Sequence, residues 1–213
     1  MKINYWEEYY KKKNKTFKPS NFAKFLINKK FIKKDSVVLD LGCGDGRDTF
    51  YFSNNVKKVF GFDKSKIIIK KNSKLSIKSK MKNISFERLD LGENTSYKRF
   101  NKINFSVLYA RFFIHAVNER LENKLINIIT LLPKKFWIVF EFRTIKDSLM
   151  NKGRRISKFE RITDHYRRFI DVNNFLKKFD NKKIKILYKK EALNLSKYKR
   201  DNPHLCRLIL SKK

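Results

Sequence analysis

Two rhythms of apolar and polar residues run through the first two-thirds of the chain. Short apolar runs that end in polar or glycine residues predict buried strands, and longer runs with apolar positions three and four apart predict helices. "SVVLDLG" (36–42) is a run of the first kind, and "RDTFYFSNN" (47–55) reads as the helix after it. "KVFGFD" (58–63), "ISFERLD" (84–90), "FSVLYA" (105–110) and "KFWIVFEFR" (135–143) repeat the strand signal. Between them, "SKIIIKKNSKLS" is a helix opened by the cap residue Ser65, and "RLENKLINIITLL" is an amphipathic helix. "SNFAKFLINKKFI" (20–32) gives an earlier helix on the same grounds. Strands alternating with helices imply right-handed βαβ units and a mostly parallel α/β sheet. After Arg143 the rhythm changes. Residues 144–169 are polar and basic without a strand signal, and read as a lid. A helix opened by Asp171 follows, and "KIKILYKKEAL" and "HLCRLILSKK" read as two closing strands.

No Pro/Gly/Ser-rich linker interrupts this order, so 1–213 reads as one domain. Its parts are an N-terminal cap segment (1–34), a core (35–145), and the lid with the closing strands (146–213). Charge complicates the picture. The chain carries 53 basic residues, 40 of them lysine, for a formal net charge of +33. Such a surface attracts anions and nucleic acid at low salt. The lysines are spread over the whole chain, however, and accompany abundant Asn and Ile, the signature of AT-rich codons. The two cysteines, Cys43 and Cys206, are far apart in sequence, which argues against a disulfide framework or a zinc site and for a cytoplasmic setting. No apolar run suggests a signal peptide or a membrane span.

The glycines raise the chemical question. Gly42, Gly44 and Gly46 follow the first strand as G-x-G-x-G, tighter than a dinucleotide fingerprint. Asp40 and Asp45 flank them and would repel a pyrophosphate. Asp63 ends the second strand, placed to accept ribose hydroxyls, and Asp90 ends the third, near where an adenine amino group could be held. An amine, a ribose and an adenine without phosphates describe S-adenosylmethionine.

On "VLDLGCGDGRD", "VFGFDKS" and "FERLDL" the sequence resembles the class I S-adenosylmethionine-dependent methyltransferases over about residues 35–145. The resemblance implies a Rossmann-like, seven-stranded, mostly parallel sheet flanked by helices, with its last strand inserted antiparallel. It implies that Asp40, Gly42, Gly44, Gly46, Asp63, Asp90 and Leu91 bind the cofactor. "YWEEYYKKK", "YARFFIHAVNE", "EFRTIKD" and "DHYRRFID" are similar to a narrower group of small bacterial methyltransferases of capsule and surface-polysaccharide gene clusters. That likeness implies a cover of Tyr5, Trp6 and Tyr10 over the donor. It also implies a small anionic or nucleotide-linked acceptor of phosphorylated or phosphoramidate type.

Tyr109, Arg111 and His115 follow the fourth strand as candidate catalytic residues; His115 is read either as a base or as a structural histidine. Arg143, His165, Tyr166, Arg167 and Arg168 are expected to clamp an anionic acceptor, because a guanidinium grips phosphate with two hydrogen bonds. Glu141 either joins that mouth or pairs with Arg143. Competing readings are an RNA methyltransferase and a non-catalytic nucleotide- or nucleic-acid-binding protein. Against the first stand the absence of an RNA-binding module and of an Asn/Asp-Pro-Pro-aromatic signature; against the second stands the intact glycine turn.

Overall fold

The computed structural model describes residues 4–12, 18–180, 183–198 and 201–213. The chain runs through α1 (Asn4–Lys12), α2 (Asn21–Asn28), β1 (Val37–Leu41), α3 (Arg47–Ser53), β2 (Lys58–Asp63) and α4 (Lys66–Lys78). It continues through β3 (Ile84–Arg88), α5 (Ser96–Lys102), β4 (Val107–Arg111), α6 (Glu119–Leu131) and β5 (Phe136–Arg143). The last third holds β6 (Arg154–Arg155), β7 (Glu160–Ile162), β8 (Tyr166–Arg168), α7 (Val172–Lys177), β9 (Ile184–Ala192) and β10 (Leu205–Lys212). Helix starts follow the polar side chains. Ser20, Ser65, Asn118 and Asp171 each accept a hydrogen bond from a first-turn amide of α2, α4, α6 and α7.

Seven strands form one sheet in the order β3-β2-β1-β4-β5-β10-β9. β1 pairs in parallel with β2 and β4, and β2 with β3, while β10 is antiparallel to both β5 and β9. This is the expected Rossmann-like sheet with an inserted antiparallel last strand. No helix among the described residues is long and apolar enough to cross a membrane.

Three elements depart from the sequence reading. α1 lacks aliphatic residues, but its aromatics Tyr5, Trp6, Tyr9 and Tyr10 recur at helical spacing. α5 buries only Ser96 and Phe100, too few positions to show a period. The expected strandless lid contains a small antiparallel sheet in the order β6-β7-β8. Strands of two and three residues are too short to show an alternation.

The chain divides into two compact units, Met1–Glu93 with Asn104–Tyr109, and Asn94–Ile103 with Ala110–Lys213. In the first, Phe22, Leu26, Val38, Phe52 and Phe62 are buried around β1 and β2. In the second, Phe140, Phe142, Phe175 and Phe179 form a chain of edge-to-face rings. Each such ring contributes roughly 1.5–3 kcal/mol by burial. Some lysines are structural too. In the second unit Lys134 donates to Phe100, Asn101 and Ile103 carbonyls at the end of α5, and Lys212 to Ile129, Thr130 and Leu132 at the end of α6. Both satisfy carbonyls that a helix terminus leaves open.

Candidate active site

In the first unit, β1 runs into a turn whose backbone only glycine adopts without strain. Gly44 has φ +53° and Gly46 φ +75°, in the left-handed region. A Cβ on Gly44 would stand 2.7 Å from the Tyr10 hydroxyl, and one on Gly46 would stand 2.9 Å from the Phe50 ring. The turn is tied down from several directions. Gly42 N and Cys43 N both donate to Phe62 O at 2.7 and 2.9 Å, and Asn72 Nδ2 donates to Gly44 O at 2.8 Å. Asp63, at the end of β2, accepts from Gly44 N at 3.0 Å through one oxygen and from Ser65 N at 2.9 Å through the other. These amides fix the carboxylate's orientation and leave further lone pairs open. Burial pushes the Asp63 carboxyl above its ordinary value, against the stabilising hydrogen bonds from Ser65 and Gly44. Asp40 is buried and accepts the Thr49 hydroxyl at 2.6 Å.

α1 packs against the turn and the start of α4. Glu7 accepts from Ser65 Oγ at 2.9 Å and Lys66 N at 3.0 Å, so it caps the start of α4. Lys71, on α4, returns a bond to Tyr10 O at 2.6 Å. Tyr10 is buried with its ring stacked on Trp6 at 5.9 Å, and Trp6 meets Tyr5 edge to face at 5.1 Å. After β3, Asp90 pairs with Lys64 at 2.7 Å and accepts from Gly92 N, while Leu91 is buried.

Tyr109 is the first correction. It is buried in the first unit's core against Phe22 and Phe52, and its hydroxyl donates to Asp48 at 2.7 Å. Asp48 also takes Ser20 N and Oγ, so this hydroxyl is a structural group and not a catalytic one.

The second unit contains the remaining candidates. After β4 the chain turns through Phe112 at φ +58°, a conformation unusual for an aromatic residue. The Arg111 guanidinium lies over the Phe112 ring at 4.0 Å, and that ring touches His115 at 5.1 Å. Arg111 Nε donates to Glu141 at 2.8 Å. Glu141 is wholly buried and also takes Arg207 Nε at 2.7 Å and the Ser196 hydroxyl. Arg143 pairs with Asp147 at 2.9 Å and with Asp201, so the Glu141–Arg143 pair is replaced by partners from later in the chain.

The five-residue clamp does not assemble as one group. Alternation along β8 sends neighbouring side chains to opposite faces. Arg168 bonds to Glu122 and to Val117 O, and Tyr166 bonds to Glu160. Arg167 instead bonds to Thr163 and Asp164, and His165 Nδ1 bonds to Asp164 at 2.9 Å. The cationic groups that weigh most on His115 are Arg143, Arg167 and Arg111. His115 itself is 5% exposed, and burial followed by those charges pushes its pKa well below the ordinary histidine range. Its Nδ1 accepts Arg143 N–H at 3.2 Å. Burial and Arg167 likewise push His165 down to about 4. Neither histidine is a cation near neutral pH.

The profile of a family described as a methyltransferase domain matches residues 32–141, from the end of the N-terminal segment into β5. The chain belongs to the class I S-adenosylmethionine-dependent methyltransferases. Solved structures share the fold of this methyltransferase at low identity. A SAM-dependent methyltransferase from Anabaena variabilis is 19% identical with a TM-score of 0.73, over 98% of this chain and 92% of that one. One from Aquifex aeolicus is 16% identical with a TM-score of 0.64, over 97% and 98%. One from Clostridium acetobutylicum is 14% identical with a TM-score of 0.66, over 89% and 90%. No curated protein matches the sequence.

The methyltransferase's glycine turn fits its cofactor on chemical grounds. Carboxylates and a close backbone suit an amine and ribose hydroxyls. Glu7 and Asn72 escaped the sequence reading because each acts on backbone atoms distant in the chain. The aromatic spacing in α1 was the one available signal.

Proposed function

We propose that this enzyme transfers the methyl group of S-adenosylmethionine to a small acceptor bearing an anionic group, held at the His115 cluster. The donor contributes an activated methyl on a sulfonium; the chain contributes binding and alignment. Asp63 would take the ribose hydroxyls, Asp40 would lie near the amino group, and Asp90 and Leu91 would flank the adenine. Tyr5, Trp6 and Tyr10 would close over the donor from α1. Arg111, Arg143, Arg167 and His165 would surround the acceptor, with Tyr166 and Arg168 left out.

One observation supports the acceptor site most. A buried histidine has Nε2 without a hydrogen-bond partner among the described residues, and the charges that weigh most on it are cationic. The guanidiniums are held by carboxylates, so their remaining N–H groups are fixed in place before an acceptor arrives. The sequence likeness to methyltransferases of surface-polysaccharide gene clusters supports a phosphorylated or phosphoramidate-type glycan precursor as that acceptor, and a cytoplasmic reaction. Methyl transfer to a panel of nucleotide-linked sugars and phosphorylated metabolites, against total RNA at physiological salt, tests it. Turnover on RNA alone would make the high positive charge functional and overturn the small-acceptor reading.

A further inference from the structure

The surroundings of His115 restrict what its ring can do. Its Nδ1 accepts the backbone N–H of Arg143 at 3.2 Å. A backbone amide cannot reverse its role, so that nitrogen must carry the lone pair. The proton of the neutral ring therefore sits on Nε2. Arg143 belongs to β5, where its backbone is fixed by register with Leu205 of β10. The ring is buried and packs against Phe112, whose left-handed backbone fixes the turn. Nε2 has no partner among the described residues and is not one of their solvent-sealed orphan atoms, so its N–H is open to water or to a ligand that replaces it. His165 is the opposite case: its Nδ1 faces the Asp164 carboxylate, so its Nδ1 carries the proton.

We propose that His115 is a fixed Nε2–H hydrogen-bond donor and not a base, and that the acceptor is therefore an oxyanion already ionised at neutral pH. This inference rests on the methyl-transfer reading above and names the substrate class within it. A hydroxyl acceptor would need a lone pair to take its proton, and His115 offers a hydrogen there instead. An ionised phosphate, phosphoramidate or carboxylate oxygen accepts that N–H and keeps lone pairs for the reaction. The transfer balances without a proton. The methyl–sulfur bond breaks, a methyl–oxygen bond forms, the sulfonium becomes a neutral thioether, and the oxyanion loses its charge. The charged and titratable groups around the ring fit this role. Burial, then Arg143 on β5, Arg167 on β8 and Arg111 on β4, keep it neutral; His165, before β8, is itself uncharged near neutral pH, and Glu141, Asp147 and Asp164 hold the guanidiniums.

The tautomer is directly measurable, because the chain has only 3 histidines. Long-range proton–nitrogen spectra of the histidine-labelled intact protein should show His115 as the neutral Nε2–H form through the pH range in which a free histidine titrates. A ring protonated on Nδ1, or one titrating near its ordinary value, overturns the proposal without any turnover assay. Kinetics add a second reading on the acceptor the panel returns. His115→Gln keeps an N–H donor but cannot act as a base, so its kcat should stay within about threefold of wild type, against a loss of about tenfold or more in His115→Ala. The kcat profile should be flat between about pH 6 and 9. A His115→Gln enzyme as slow as His115→Ala, or a preference for unphosphorylated sugar hydroxyls, overturns the donor role. Calorimetry with S-adenosylmethionine separates the two levels. A protein that binds none fails the methyl-transfer reading while its tautomer stays measurable, whereas a protein that binds donor but shows the Nδ1–H ring fails this inference alone.

Discussion

At the glycine turn, a carboxylate meets the backbone. Asp63 receives amides from Gly44 and Ser65, and its environment is set within about two turns of chain around β1 and β2. In the second unit, carboxylates meet guanidiniums, and the partners come from far away. Arg111 finds Glu141, Arg168 finds Glu122, and Arg143 finds Asp147 and Asp201. The first region positions acceptors by backbone conformation and leaves them open to a ligand. The second positions donors by buried ion pairs and consumes much of their charge in doing so. Polar groups can thus be preorganised by different means within one chain, one cheap in side chains and the other costly in buried charge.

Removing Glu141 should break the second region most severely. Glu141→Ala leaves Arg111 and Arg207 buried without their carboxylate, a situation that costs about 3–5 kcal/mol. Urea unfolding followed by circular dichroism measures it. A cost below about 1 kcal/mol would mean that these ion pairs are replaced by water, and the contrast with the glycine turn would vanish.

The next effect falls on the first region and on binding. Asp63→Ala should weaken S-adenosylmethionine affinity by about tenfold or more, because a hydrogen bond to a charged group is worth about 1.5–3 kcal/mol. Calorimetry reads it, with Asp63→Asn as an isosteric control. Unchanged affinity would remove Asp63 from the ribose and leave it as a brace for Gly44 and Ser65.

These two regions also differ in how far the sequence disclosed them. The turn was legible because its requirements are local: three glycines at fixed spacing, an apolar run before them, an acid at the end of the next strand. The sheet was legible because Val37–Leu41 and Lys58–Asp63 are long enough to show their burial. The clamp was only half legible. Arginines in a lysine-rich chain marked the region, but β8 is three residues long, too short to reveal that Arg167 and Arg168 face opposite ways. Tyr109 misled for a related reason. It sits where the strand meets the site, and only the distant Asp48 shows that its hydroxyl belongs to the core.

Acid should pull the two regions in opposite directions. His115 and His165 lie below the ordinary histidine value, His165 at about 4, so as pH falls below that ordinary value the unfolded chain binds protons that the folded chain refuses. Stability should therefore fall with falling pH, by up to about 1.4 kcal/mol per pH unit for each histidine. Asp164, held low by Arg167 despite its burial, adds a loss that begins in the ordinary carboxylate range, where the unfolded chain takes up its proton, and continues below it. Asp63 has the opposite sign. Its folded value is raised by burial, so its protonation favours the folded state as pH falls, while the carboxylate proposed to bind donor is lost. Urea midpoints at several pH values should fall toward acid, and His165→Gln should flatten the slope. Midpoints that rise from about pH 6.5 to 5 would mean the histidines are solvated.

The smallest effect divides β8 itself. Arg167 and Arg168 are adjacent, equally arginine, and predicted by sequence to act together. Arg167 belongs to the charges that bear on His115, whereas Arg168 serves the Glu122 carboxylate and the Val117 carbonyl. Glu122 has a second cation in Lys178 at 2.5 Å, so Arg168→Lys keeps the charge balance and should cost no more than about 1 kcal/mol in stability. Its turnover should match wild type. Arg167→Lys also keeps the charge but loses the planar fork, so kcat on the true acceptor should fall while donor affinity holds. Steady-state kinetics on the two single variants is sufficient. Equal losses in both would mean that the faces of β8 do not separate the site from the core, and the five-residue clamp would return. Full activity in both would reduce the strand to a support and leave His115 and Arg143 to hold the acceptor with Arg111.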